Sequence, residues 1–245
     1  MPRKPKRPVK RAGKTGKRPT RPDKDTWYED AMKAREDAFG QAFGPTSPRG
    51  KVLKPQNEQW ELRIPGFAFL RYPPRSQRKF WLYLTHGLSQ PGSPEEFAAG
   101  SRAGLGVEFA LATAREEPWP LAMLELVAQY AVGSGRPILP HQRLPANDLM
   151  AEAPGGHLLA LADPGYPTDL RIAGAPLRIV HLVGVTGAEA DRAKQLPGMT
   201  GSEVLERVLH AAGVGCVTDR HRQSLTQRPD FEALWAAAAE AVGTR

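Results

Sequence analysis

The chain has one cysteine, Cys216, in 245 residues. A disulfide framework and a cysteine-built zinc site within one chain are thereby excluded. No apolar run approaches the ~20 residues that a membrane-spanning helix needs, so no membrane partner is expected. No apolar segment follows the basic N-terminus closely enough to form a secretory signal. Paired metal-ligating histidines are also missing. None of His86, His141, His157, His181, His210 and His221 stands in a His-x-x-x-His pair or beside a suitable carboxylate cluster. No metal or cofactor is expected, and a cytoplasmic location fits. Acid is scarce at the start of the chain. Residues 1–24 hold eleven Lys and Arg against one acid, Asp23, which leaves 23 basic and 25 acidic residues in the remainder. The alkaline balance therefore belongs to the tail, and the body is near neutral. The tail carries five prolines and no aromatic residue. It cannot bury enough apolar surface to offset its ordering entropy, so disorder is expected over 1–24. Contact with nucleic acid through phosphate neutralisation is one reading of it. A solvated extension is the other, and the stacking aromatics of single-strand binding are missing.

What is present is an ordinary globular composition, 40% hydrophobic and 24% charged. Residues 25–43 read as an amphipathic helix with Trp27, Ala31, Ala34 and Ala38 at helical spacing. A Pro/Gly/Lys linker occupies 44–57. Strands follow: "EQWELRI" alternates Trp60, Leu62 and Ile64, and "FAFLRY" puts Phe67 and Phe69 on one face. "KFWLYLT" is apolar on both faces and reads as a central, covered strand. "GLGVEFALA" sets Val107, Phe109 and Leu111 against Glu108 on the other face. "PWPLAMLELVAQYAVGSG" reads as a helix opened by proline and ended by Gly133 or Gly135. "HLLALADP" and "LRIVHLVGVT" are further strands. Thr186 with Glu189, and Thr200 with Glu203, resemble capping boxes for two helices. A last short strand over 214–218 and a terminal helix complete the pattern. The order predicts an α+β fold of mixed α/β layers, with a central, mostly antiparallel or mixed sheet packed by amphipathic helices.

Chemistry is sparse. "LTHGLSQPG" brings His86 near Ser89, as a nucleophile elbow does, but that elbow needs Gly-x-Ser-x-Gly. Here Gly92 comes one position late and Pro91 obstructs a tight helix start. A turn in which Gly87 relieves backbone strain is the simpler reading, and a hydrolase at Ser89 and His86 is the weak alternative. "TDRHRQS" gathers Asp219, Arg220, His221 and Arg222, suited to anion binding, acid–base work or mutual hydrogen bonding. Glu108, set in an apolar strand, must be paired if it is buried.

Six stretches in order carry a resemblance: "WLYLTHGLSQ", "GLGVEFALA", "PWPLAMLELVAQYAVGSGRPI", "HLLALADP", "LRIVHLVGVTGAE" and "VTDRHRQSL". Their landmarks are Gly87, Leu88 and Ser89; Gly104, Gly106 and Glu108; Trp119, Pro120 and Tyr130; Gly184, Thr186 and Glu189; and Thr218, Asp219, Arg222 and Ser224. Together they resemble the suppressor-of-fused domain family, over roughly residues 58–226. The resemblance implies a non-enzymatic protein-binding domain. In the two-domain animal member an extended peptide of a Gli-type transcription factor is held between the domains, a form of strand addition. Bacterial members resemble immunity proteins that neutralise toxins, and the Ala, Gly, Pro and Arg bias here fits a GC-rich bacterial genome. The second domain is expected to be lacking, so a single-domain protein that occludes a toxin or another regulated protein is the first expectation. A helix over 227–245 should pack on the domain. Partner contact is expected from His86, Ser89, Asp148, Asp219, Arg220, His221 and Arg222, as polar residues in loops near strand ends.

Overall fold

Alternating apolar side chains in the middle of the sequence build a seven-stranded mixed sheet. The computed structural model describes residues 26–46, 53–55, 64, 66–90, 93–95, 99, 104–146, 149, 155–172 and 174–243. In chain order the elements are α1 (Trp27–Phe43), β1 (Ala68–Tyr72), β2 (Trp81–His86), β3 (Val107–Thr113) and α2 (Trp119–Ser134). Next come β4 (Arg143–Pro145), β5 (His157–Ala160), β6 (Asp169–Ile172) and β7 (Ala175–Val185). The helices α3 (Gly187–Lys194), α4 (Thr200–Ala211) and α5 (Phe231–Gly243) close the chain, with a 3-10 turn at Leu225–Gln227. The strand order is β1-β2-β3-β7-β5-β4, with β6 also paired to β7. Among these named strands β3 and β7 run parallel, and the other pairs are antiparallel.

The period of two sorts the side chains into two cores. On one face Phe69, Tyr83, Phe109, Leu158 and Leu182 pack under Leu124, Val127 and Ala128 of α2. On the other face, Leu70, Leu82, Leu84 and Ile179 meet Phe39 and Phe43 of α1. Farther along that face, Leu159, Val183 and Val185 meet α3, α4 and α5. Among the described residues the layers are thus one helix, a sheet and four helices. β2 lies between β1 and β3 and is covered on both faces, as its sequence predicts.

Several local expectations change. The buried residues of α1 are Ala31, Arg35, Phe39 and Phe43; of the expected stripe Ala31 is among them, while Trp27, Ala34 and Ala38 are half-buried. Two phenylalanines outweigh small alanines in setting the rotation of the helix, and Arg35 goes inside with them. Arg75 and Arg78 donate to the Phe43 carbonyl at the end of α1, at 3.3 and 3.5 Å, where cations complement the helix dipole. Thr186 and Glu189 form both bonds of their capping box. Thr200 does not cap: it lies inside α4, and Met199 precedes the helix without a side-chain cap. The strand expected over 214–218 is a single bridge between Ala112 and Val217. Trp60 and Leu62 lie outside the described residues, whereas β4 and β6 are strands that their sequences do not announce.

Candidate functional site

The sequence around Ser89 builds a buried polar knot. Glu108 on β3 is fully buried. Its Oε1 accepts from Ser89 Oγ at 2.6 Å, Ser89 N at 2.9 Å and Gly87 N at 3.0 Å. Its Oε2 accepts from Thr85 Oγ1 at 2.6 Å, and Thr85 Oγ1 in turn accepts from Phe109 N at 2.8 Å. A single carboxylate therefore receives four hydrogen bonds and fixes the turn after β2 on to β3. Gly87 has φ +134, and a Cβ there would stand 2.9 Å from the Phe67 backbone, so only glycine fits. Gly104 is confined likewise, since its Cβ would meet the Leu88 and Gln90 carbonyls at 2.5 Å.

Arg35 of α1 reaches the same knot. Its Nε donates to His86 Nε2 at 3.2 Å, and Nη2 lies 3.0 Å from Nδ1. Burial, reinforced by the Arg35 charge, pushes the His86 imidazole down to about 3. The burial that works against the Arg35 charge is opposed first by Glu108. Ser89 donates to a carboxylate rather than to a base, and the neutral His86 faces a guanidinium. This arrangement supplies no activated nucleophile. It also removes Ser89 and His86 from the partner-contact set, because both are buried and engaged.

A second knot ties the C-terminal segment to the sheet. Arg222 Nη1 and Nη2 meet Glu189 Oε1 and Oε2 at 2.5 and 2.6 Å. Leu225 N donates to Glu189 Oε1 at 2.7 Å, and Ser224 Oγ lies 2.9 Å from Thr186 Oγ1. Thr218 Oγ1 accepts from Gly184 N at 2.8 Å. Arg222 is thus committed to an internal ion pair and is not free for a partner. Glu189, which its capping-box role explains at sequence level, is also the anchor of this segment.

Of the remaining candidates, three cluster after β7 near the surface. Asp219 and His221 are exposed and Arg220 is half-buried. Arg220 stacks over the half-buried Trp119 ring at 5.5 Å, beside a cavity of about 430 Å³ that Asp219 and His221 also line. Asp148 lies outside the described residues. Pro120 is buried at the start of α2, and Tyr130 is exposed on it. A groove of about 400 Å³ runs between α2 and β4, lined by Met123, Leu126, Tyr130, Leu144 and Pro145. Leu126 and Tyr130 are 57% and 54% exposed. The only charged residue of α2, Glu125, is buried, so the outward face of this helix carries no charge. Sequence periodicity does not disclose this face, because an apolar helix reads the same whether one or both sides are covered.

Among the described residues no group of three or more His, Cys, Asp or Glu is placed to hold a metal ion. Among them, too, no helix is long and apolar enough to cross a membrane.

Residues 63–223 match the family model described as suppressor of fused protein. No curated protein matches the sequence. Solved structures share the fold. A chain of the Sufu–Fu complex crystal structure is similar at 19% identity and TM-score 0.58, covering 84% of this chain and 96% of that one. A suppressor of fused homologue from Neisseria gonorrhoeae is similar at 15% identity and TM-score 0.55, covering 81% and 96%. Drosophila Suppressor of Fused is similar at 18% identity and TM-score 0.50, covering 73% of this chain but 45% of the fly protein.

Proposed function

Because the chain belongs to the suppressor of fused family, we propose that it is a protein-binding domain that acts without catalysis, restraining a partner by covering it. The partner is a cognate toxin domain, and the chain is of the bacterial immunity type. The fold is shared with a chain from a crystal structure of a protein complex, the Sufu–Fu complex, which supports a protein as partner. The observation that carries the docking face is the uncharged outward side of α2 beside β4. Large apolar groups exposed together mark interaction surfaces in soluble proteins. Among the described residues β4 ends the strand order with no strand on its outer side, where an extended segment would add as a further strand. Aromatic side chains such as Tyr130 are favoured anchors in such contacts.

Co-expression tests this reading. The chain is produced together with the protein encoded by the adjoining upstream gene, the proposed toxin, and cell survival is scored. Survival is expected with the wild type and with Arg220→Glu, and is lost with Leu126→Asp. Death of cells that carry the wild type counts against the immunity role. Survival with Leu126→Asp and death with Arg220→Glu moves docking to the Trp119 cavity. A second reading rests on the charge of residues 1–24, which would give salt-sensitive nucleic-acid contact. Equal duplex-DNA binding by the full chain and a chain lacking 1–24 would dismiss it.

A further inference from the structure

We propose that the segment docking on β4 carries an acidic side chain flanked on both sides by apolar ones, and that Arg143 selects the acid. This rests on the docking face proposed above and names the chemistry of its occupant.

Arg143 pairs with Leu159, and Leu144 with Leu158. Leu158 belongs to the core under α2, and Leu159 to the core under α3 to α5. Leu144 therefore faces the α2 groove, while the Arg143 side chain leaves the strand on the opposite face, although at this edge Arg143 still borders the groove. An extended segment beside β4 must alternate in the same way. Its residue opposite Arg143 lies on the Arg143 face, and the residues on either side of it turn toward Leu126, Tyr130 and Leu144.

The backbone permits this contact. Ala160 N donates to the Gln142 carbonyl and Ala146 N to the Gly156 carbonyl, so alternate residues of β4 point inward to β5. The Arg143 N–H and carbonyl then point outward, as does the Pro145 carbonyl. Pro145 has no N–H, which limits the pairing to a short stretch around Arg143.

Charge decides the residue at the centre. Arg143 Nη1 is buried without a hydrogen-bond partner, and no ion pair among the described residues reaches the side chain. Burial lowers its pKa with no acid to oppose the effect. The carboxylates of α4 on this face are already engaged. Glu206 accepts from His141 and from the Ala162 and Asp163 amides, and Glu203 pairs with Arg207 at 3.6 Å. A half-buried guanidinium with a shielded, unpaired Nη1 is completed by a carboxylate from outside, and a charged pair directly opposite on neighbouring strands is favourable while like charges repel.

Three blocked seven-residue peptides test this, alternating Thr with Val about a central Val-X-Val in which X is Glu, Gln or Lys. Their binding to the full chain is measured by fluorescence anisotropy. The Glu peptide is expected to bind at least ten-fold more tightly than the Lys peptide, with Gln between them. Arg143→Glu should reverse that order, and Leu126→Asp should weaken all three peptides. Equal binding of the Glu and Lys peptides, or an unchanged order in Arg143→Glu, overturns the acid selection. If that happens while Leu126→Asp still abolishes binding, the docking face stands and only the acid is lost. If no peptide binds the wild type, the short-strand pattern is wrong, and the co-expression result judges the docking face independently.

Discussion

Glu108 shows how much a single side chain organises here. It accepts four hydrogen bonds in a fully buried place, so its removal leaves three residues with orphaned donors. Breaking a buried charged arrangement by deleting one partner costs about 3–5 kcal/mol. Glu108→Ala is expected to lower stability by about that amount in chemical denaturation, and Ser89→Ala by only about 1 kcal/mol. The histidines add a pH dependence. Burial, with Arg35 beside it, holds His86 at about 3, and burial holds His181 at about 4. The unfolded chain takes up these protons at about pH 6.5, so in the window below that it binds more protons than the folded chain. Stability is full above about pH 7 and declines as pH falls toward 4. Glu206 continues the loss at lower pH. Burial would raise its carboxyl, but hydrogen bonds from His141 and the Ala162 and Asp163 amides outweigh burial and lower it. Denaturation midpoints from pH 7.5 to 4.5 should show the decline, with a shallower slope in His86→Gln. A flat profile for the wild type would contradict this account of the two imidazoles. The need of Glu108 for partners was legible from its apolar strand. Arg35 was not, because alternation cannot foresee that an arginine enters the core to stay near a carboxylate 73 positions away.

At the scale of elements, the long ones were legible and the short ones were not. β7 and α4 have enough periodic apolar positions to declare themselves. β4 has three residues, and its Arg-Leu-Pro sequence reads as loop. Pairing with β5 makes it a strand, and nothing local does. The Asp219–Ser224 stretch likewise read as a polar cluster of uncertain purpose. Tertiary partners divide it into an internal tie at Arg222 and Ser224 and a surface at Asp219 and His221. This division predicts opposite behaviour for two substitutions. Arg222→Ala breaks a buried pair and is expected to lower stability by about 3–5 kcal/mol. Leu126→Asp lies on an exposed face and should stay within about 0.5 kcal/mol of the wild type. Thermal and urea unfolding of both variants checks the contrast. Comparable losses in the two would mean that the outward side of α2 is covered within the chain.

For the whole molecule, the order of landmarks carried more information than any one motif. Each of the six stretches is unspecific alone, yet they fall on β2, β3, α2, β5, β7 and the segment before α5, which frame both faces of the sheet. Family membership and the mixed layered fold were therefore legible. The docking face was not, because it depends on which side of an apolar helix meets the sheet and which strand lies at its edge. A protein partner docking on α2 and β4 is the proposal on which the rest depends. Site-specific photo-crosslinking in the native host tests it most directly, with the reactive residue placed at Tyr130 in one chain and at His221 in another. Position 130 is expected to capture one defined protein, Leu126→Asp to abolish the capture, and position 221 to capture none of it. Capture from position 221 alone, or no protein captured from position 130, would contradict it.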